Sequence, residues 1–168
     1  MAGRPRKKAA GSARSKKVKP SGPVPCAVLW GLDPSSERGA AVRAVLREMG
    51  VVARTAGYER LGDAAGAFAR LPGFRPAPVP FAGPEPSVGE FVLLCGLTDA
   101  QVNEFLARSR EAGCVVDAKA LITKVNRAWP LAQLIEAVAE EHRQMGSGQA
   151  AGAPGPGAGP EGAEGAAE

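Results

Sequence analysis

The sequence predicts an α/β fold in which two duplicated strand–helix–strand–helix units share a four-stranded sheet. Residues 26–30 and 91–95 are short, wholly apolar runs, typical of strands covered on both faces. A glycine and an amphipathic helical pattern follow each run. Residues 28–32 also align with 93–97, and residues 47–52 with 110–115. We therefore predict an internal duplication, with these two strands central and helices on both faces; the alternative is a two-layer arrangement.

The first unit, residues 23–71, begins with the strand at 26–30. Asp33 is a candidate N-cap and Pro34 suits the first helical position. The helix stripe would end at Gly50, followed by a short edge strand at 51–55. A closing helix over residues 58–68 would match residues 129–138. Gly62 and Gly66 each cost it about 1 kcal/mol relative to alanine, so tertiary packing must hold it.

Residues 72–89 carry six prolines and predict an extended linker between the two units rather than a helix. Phe74 and Phe81 are placed to pin this linker to the body.

The second unit, residues 90–145, has the clearest local signals. Thr98 and Gln101 form a capping box, and Leu97 and Val102 form the matching hydrophobic staple. Gly113 ends that helix, and residues 114–123 contain the fourth, edge strand. Pro130 suits the first position of a final amphipathic helix, whose apolar stripe covers residues 131–139 and which ends at residues 140–143.

The two ends of the chain predict disorder, because neither could bury enough apolar surface to offset the entropy of ordering. Residues 146–168 form a Gly/Ala/Pro acidic tail, and residues 1–22 form a basic arm. Residues 1–20 hold eight of the 21 cations and no acid, so the remainder carries thirteen cations against seventeen acids. The basic charge therefore belongs to the arm.

The arm is a candidate nucleic-acid contact. Residues 3–8 resemble the Gly-Arg-Pro core of an AT-hook, which lies in the minor groove of A·T-rich DNA, although Ala2 stands where that motif usually has a cation. The candidate contact residues are Arg4, Arg6, Lys7, Lys8, Lys16 and Lys17. The alternatives are a solvated tail or a weak RNA contact.

Composition argues against several protein classes. No apolar run approaches the roughly 20 residues of a membrane span, and no secretory signal follows the basic arm. Cys26, Cys95 and Cys114 form no C-x-x-C pair, so we expect reduced thiols in a cytoplasmic protein, with no metal and no cofactor. His142 is the only histidine and sits at a helix end, which argues against a cysteine–histidine nucleophile.

One run of the second unit resembles a known family. It consists of Lys119, Ala120, Thr123, Asn126, Trp129 and Leu131, followed by Glu141-His142. The bacterial family catalogued as domain of unknown function 3783 has the pattern Lys-Ala-x-x-Thr-x-x-Asn-x-x-Trp-x-Leu and then a helix ending Glu-His. The resemblance covers about residues 90–143, with Pro130 where the family more often has threonine. It implies a fold and no mechanism, because the family has no established activity.

Lys119, Thr123, Asn126 and Trp129 are the candidate ligand-binding residues. A strand-end lysine and a loop asparagine beside a helix start would suit an anion or a carboxylate. The structural alternative is that Asn126 fastens its loop, Trp129 covers the core and Lys119 pairs with a carboxylate.

The functional expectation is a small cytosolic, non-enzymatic binding or regulatory module that contacts a protein or a small anionic ligand. No acid–base partner or nucleophile is evident, which argues against an enzyme. Two alternatives remain open. One is a nucleic-acid-associated protein that binds through its basic arm; the other is an enzyme or ligand sensor that uses Lys119 and Asn126.

Overall fold

The computed structural model describes residues 23–149. The basic arm and the tail from residue 150 onward lie outside the described residues, so the expectations for them stay predictions. The elements are β1 (Cys26–Trp30), α1 (Glu37–Glu48), β2 (Val52–Thr55), α2 (Ala65–Phe68), β3 (Phe91–Cys95), α3 (Asp99–Glu111), β4 (Lys119–Leu121) and α4 (Leu131–Gln149), with 3-10 turns at Tyr58–Arg60 and Asn126–Ala128.

The four strands form one sheet in the order β2-β1-β3-β4. β1 pairs with β2 and β3 pairs with β4 in parallel, whereas β1 and β3 are antiparallel. The predicted α/β fold and its four-stranded sheet are confirmed. The two apolar strands are central, as expected, because each is covered on both faces.

The two units are related by an approximate two-fold axis. Val28 and Leu93 are equivalent in the sequence repeat, and they lie directly opposite each other in the β1–β3 ladder. A second contact repeats the relation: Ala65 N–H donates to the Trp129 carbonyl, and Leu131 N–H donates to the Asp63 carbonyl, both at 2.9 Å. The axis therefore passes between β1 and β3 and between the starts of α2 and α4.

Helices cover both faces of the sheet. One core, the α1/α3 core, contains Leu29 of β1, Val92 of β3 and Phe105 of α3. The other, the α2/α4 core, contains Val28, Leu93 and Ile135 with the residues of α2 and α4. Successive strand residues point to opposite faces, so each central strand contributes to both cores.

The start of α1 differs from the prediction. Ser36, not Asp33, is the N-cap: its hydroxyl accepts the Gly39 N–H at 3.0 Å. The Asp33 carboxylate is used by Ser35, whose N–H donates to it at 2.8 Å, so Pro34 lies in a turn before the helix. The Asp33 side chain forms an Asx turn with Ser35, and it is therefore not available to cap the helix. The α3 capping box, in contrast, forms as predicted between Thr98 and Gln101.

The closing helix of the first unit is much shorter than predicted. A 3-10 turn and the four-residue α2 replace it, and α2 ends where Arg70 adopts a left-handed conformation. The bridge between Ala64 and Pro130 also shows that Ala65 corresponds to Leu131, so the alignment of residues 58–68 with 129–138 is out of register. The left-handed conformation of Arg70 ends α2, and Gly62 weakens the helical propensity of the residues before it.

Residues 72–89, the strap, contain no helix or strand, as predicted. They are nevertheless fastened to the body. Phe81 N–H donates to the Glu59 carbonyl at 2.7 Å, the Tyr58 hydroxyl donates to Gly83 at 2.6 Å, and the Trp30 indole donates to Val88 at 3.2 Å. The strap therefore lies across the α2/α4 core instead of hanging free between the units.

The last helix also departs from the prediction at both ends. It begins at Leu131, one residue after Pro130, and it continues to Gln149, so residues 146–149 belong to the helix and not to the predicted tail. Gly146 and Gly148 have a low helix propensity, but adding residues to an existing helix is easier than starting a new one, so the helix continues through them.

Candidate functional site

Two of the four predicted ligand-binding residues lie together. The Asn126 amide oxygen accepts the Thr123 N–H at 2.7 Å, and its amide nitrogen donates to the Leu121 carbonyl at 3.0 Å. Asn126 N–H donates in turn to the Thr123 hydroxyl at 3.1 Å. The asparagine therefore closes the loop after β4, the arrangement of the structural alternative.

Lys119 and Trp129 lie elsewhere. The Lys119 ammonium donates to the carbonyls of Val116 at 2.8 Å and Asp117 at 3.3 Å, while its chain lines a small cavity of about 170 Å³ beside α3. Trp129 packs on the opposite side of the sheet, against the α2/α4 core. A joint role of the four residues in ligand binding stays a prediction.

A different group of side chains surrounds a polar cavity beside the edge strand β2. This arginine cavity has a volume of about 210 Å³ and is lined by Arg54, Thr55, Arg60, Ala67, Phe68 and Arg70. Its three arginines come from the edge strand, the 3-10 turn and the end of α2. Guanidinium groups carry donors in a planar fork that matches carboxylate and phosphate oxygens. The cavity is therefore a candidate anion site.

Arg54 lies between the sheet and α2. Alternation along β2 turns it toward the same face as Ala56, where one terminal guanidinium nitrogen donates to the Phe68 carbonyl at 3.0 Å. Its Nε is buried and has no hydrogen-bond partner among the described residues. A buried donor without an acceptor is costly, so the fold keeps Arg54 in this position at an energetic cost.

Arg60 is held in place by a buried carboxylate. Its Nε and Nη2 both donate to Asp63 Oδ2 at 2.8 Å, and its guanidinium lies 4.6 Å from the centre of the Phe68 ring. The Asp63 side chain is only 4% exposed, against 47% for Arg60. The other Asp63 oxygen accepts the N–H of Ala77 in the strap at 2.7 Å. Strap and arginine are thus positioned by one carboxylate.

Arg70 completes the cavity from an unusual backbone position. It has φ of 55° and is the non-glycine residue with positive φ in the described chain. Its N–H donates to the Ala67 carbonyl and the Leu71 N–H to the Gly66 carbonyl, the pairing of a Schellman turn. Of the three arginines, only Arg60 is paired with a carboxylate within residues 23–149, which leaves the cavity with excess positive charge.

A larger apolar cleft adjoins the arginine cavity along β2. Its volume is about 710 Å³, and Arg54 and Arg70 line both spaces. The remaining walls of the cleft are Pro23, Val24, Val52, Ala69, Leu71 and Pro72. The arm of residues 1–22 joins the body at Pro23, on this side of the molecule.

Two arginines of the cavity, Arg54 and Arg70, also act electrostatically on the buried thiol of Cys26. Cys26 lies directly opposite Cys95 in the β1–β3 ladder, and both are buried. Hydrogen bonding with Cys95, helped by the charges of Arg54 and Arg70, outweighs burial and lowers the pKa of the Cys26 thiol to about 7. The same hydrogen bond and burial raise the pKa of Cys95. The charges of Arg54 and Arg70 thus favour the Cys26 thiolate, in addition to the larger effect of Cys95.

Sequence analysis missed this site. Arg54, Arg60 and Arg70 are separated along the chain, and no motif joins them. The sequence held two signals. Arg54 lies two residues before Ala56, on the same face of the strand, and Arg70 stands where glycine would be expected after the helical residues 65–68. Neither indicates a site until the fold brings them together.

Between residues 23 and 149, no group of three or more His, Cys, Asp and Glu side chains is arranged to hold a metal ion. Over the same part of the chain, no helix combines the length and the apolar character that crossing a membrane requires.

Comparison with known proteins gives one match. No curated protein and no solved structure matches the chain. Residues 90–145, one third of the chain, match the family model described as Domain of unknown function (DUF3783). The match spans β3 to α4 and leaves the arginine cavity outside it. The resemblance noted in the sequence is confirmed: the second unit, residues 90–145, matches the DUF3783 model.

Proposed function

We propose that the protein is a small, non-enzymatic binding or regulatory module that takes an anionic group, such as a phosphate or a carboxylate, into the arginine cavity. The observation that carries this proposal is that Arg54, Arg60 and Arg70 line one small cavity, while only Arg60 is paired with a carboxylate among residues 23–149. The three buried free thiols are compatible with a reducing compartment, and we place the module in the bacterial cytoplasm.

The arrangement favours binding over catalysis. A cluster of arginines neutralises and orients an anion but supplies no general base, because guanidinium groups stay protonated at ordinary pH. Thr55 is the hydroxyl that lines the cavity, and its Oγ1 already accepts a hydrogen bond from Arg43 at 2.8 Å. A ligand would therefore be held by charge-assisted hydrogen bonds rather than transformed.

The test is calorimetric titration of the full-length protein with inorganic phosphate and pyrophosphate. We expect saturable binding that Arg54→Gln and Arg70→Gln each weaken by about tenfold, since each removes a charge-assisted contact. Arg70 is exposed, so its substitution separates loss of binding from loss of folding.

The matched control is Arg110→Gln, which removes an exposed arginine on α3, an element of the opposite core. Its affinity for phosphate should equal that of the unaltered protein. Equal losses in all three variants, or an absence of saturable binding, would contradict the proposed anion site.

A second candidate function is nucleic-acid binding through the basic arm. One observation favours it: the arm meets the body at Pro23, in the cleft that Arg54 and Arg70 also line. A polyanion held by the arm could thus continue onto the arginines.

This candidate predicts that deleting residues 1–22 abolishes binding to nucleic acid. The measurement is fluorescence anisotropy with A·T-rich DNA, mixed-sequence DNA and RNA at two salt concentrations. Affinity should fall steeply with salt, since phosphate contacts release counterions. A preference for A·T-rich DNA would support the AT-hook resemblance. Equal binding by the full-length and truncated proteins would rule out the arm as the contact.

A further inference from the structure

The approximate two-fold axis allows each surface of one unit to be compared with its counterpart in the other. Val28 pairs with Arg54, and its equivalent Leu93 pairs with Ala120, so Arg54 corresponds to Ala120. Two residues earlier, Val52 corresponds to Ala118. These positions lie at the two edges of the sheet and face the α2/α4 side.

The two equivalent positions have different surroundings. Ala118 is 6% exposed and belongs to the same core as Ile135 and Val138 of α4. Val52 is 46% exposed, and the neighbouring Val24 is 63% exposed. The surface that is covered in the second unit is therefore open in the first, where it forms the apolar cleft.

The difference follows from the helix lengths. α2 and α4 begin at equivalent positions, since Ala65 corresponds to Leu131, but α2 has four residues and α4 has nineteen. The chain leaves the helical path at Arg70 and turns away into the strap. The first unit thus lacks the helical turns that in the second unit lie over the edge of the sheet.

We propose that the apolar cleft binds one amphipathic, acidic helix of a partner protein, which takes the place of these missing turns. The apolar face of that helix would cover Val24, Val52 and Leu71, and its carboxylates would pair with Arg54 and Arg70. Recognition of a helix by an apolar groove with charged rims follows the spacing of its apolar residues. Charge complementarity sets which helices bind.

The chain's own terminal segments do not fit this cleft. Residues 150–168 contain six glycines and three prolines, which disfavour a helix. Residues 1–22 carry many cations, which the two arginines would repel. Helix binding shares Arg54 and Arg70 with the proposed anion site, whereas Val52 lines the cleft alone, so a substitution at Val52 tests the helix separately.

The experiment is a fluorescence-anisotropy titration of the full-length protein with a labelled helical peptide of roughly 14 residues, about four turns. Leucines occupy its i, i+3, i+4 and i+7 positions, and glutamates occupy its outer positions. We expect the acidic peptide to bind and Val52→Glu to weaken binding by about tenfold, as substitution of a central apolar contact does. Val52 is half exposed, so this change spares the fold.

Three controls make the outcome decisive. Val125→Glu alters another exposed valine, 69% exposed, in the loop after β4 and should leave peptide affinity unchanged. A peptide of the same composition in scrambled order should bind at least about tenfold more weakly. A neutral polar variant, Val52→Asn, should weaken peptide binding yet leave phosphate binding intact, which separates the cleft from the arginine cavity.

Four results would overturn the inference. They are equal binding of the ordered and scrambled peptides, equal losses with Val52→Glu and Val125→Glu, no peptide binding at all, and a concentration-dependent dimer in sedimentation that Val52→Glu dissociates. The last result would mean that a second copy of the chain fills the cleft.

Discussion

Arg70 occupies a backbone position at which the chain otherwise uses glycine. Gly31, Gly50, Gly96 and Gly113 have φ between 64° and 70°, and each follows a strand or a helix. A left-handed conformation costs an L-residue about 1–2 kcal/mol. Arg70 keeps this strained conformation next to Arg54 and Arg60. Its presence at a glycine position is therefore better explained by its charge than by the geometry of the turn.

Arg70→Gly should therefore separate stability from binding. We expect the free energy of unfolding to rise by about 0.5–1 kcal/mol, because the left-handed strain is removed while the greater entropy of glycine offsets part of the gain. Phosphate affinity should fall. Urea unfolding and calorimetric titration measure the two effects.

The matched control is Gly113→Ala, which places an L-residue in the same conformation with nothing within 4 Å of the new Cβ. It should lower the stability by about 1 kcal/mol, which measures the strain directly. An Arg70→Gly protein that is less stable, or that binds phosphate as tightly as before, would contradict the account of Arg70.

The strap and α2 depend on each other. Asp63 holds Arg60 through one oxygen and the strap through the other, and the Gly66 backbone packs so closely against the Phe74 ring that a Cβ there would lie 2.7 Å from it. The one-turn helix thus draws its stability from the strap and from the start of α4, not from its own length.

Asp63→Ala should accordingly destabilise the protein by about 2–3 kcal/mol, since it leaves the part-buried N–H of Ala77 and the Arg60 guanidinium without their shared acceptor. Proteolysis within residues 72–89 should become faster in the same variant. Asp117→Ala, at an exposed position, should change stability by no more than about 0.5 kcal/mol. Similar effects of the two substitutions would show that the strap is not held by Asp63.

Sequence reasoning succeeded for elements whose signals are local. The Thr98 capping box and the glycine after α3 depend on residues within one turn, so they could be predicted. It failed where neighbours compete for the same groups: Ser36 displaced Asp33 as the cap of α1. It also failed where tertiary contacts decide, as for α2, whose extent depends on the strap.

At the scale of the whole molecule, the central position of β1 and β3 followed from their burial patterns, because fully apolar strands need neighbours on both sides, whereas the full strand order did not. The candidate anion site did not follow from any pattern. Arg54, Arg60 and Arg70 belong to three separate segments and meet only when the sheet edge, the 3-10 turn and the end of α2 are packed together. Such a site depends on contacts that no local window of sequence contains.

The pairing of Val28 with Leu93 has a consequence for shorter chains. In this protein the antiparallel pairing of β1 with β3 joins two halves of one polypeptide. Its geometry is nevertheless that of an isologous interface, in which the same surface of two subunits meets across a two-fold axis. A polypeptide containing only the DUF3783 segment would leave the edge of β3 unpaired. Two such polypeptides could restore the four-stranded sheet as a homodimer, of which this chain would be the fused, asymmetric form.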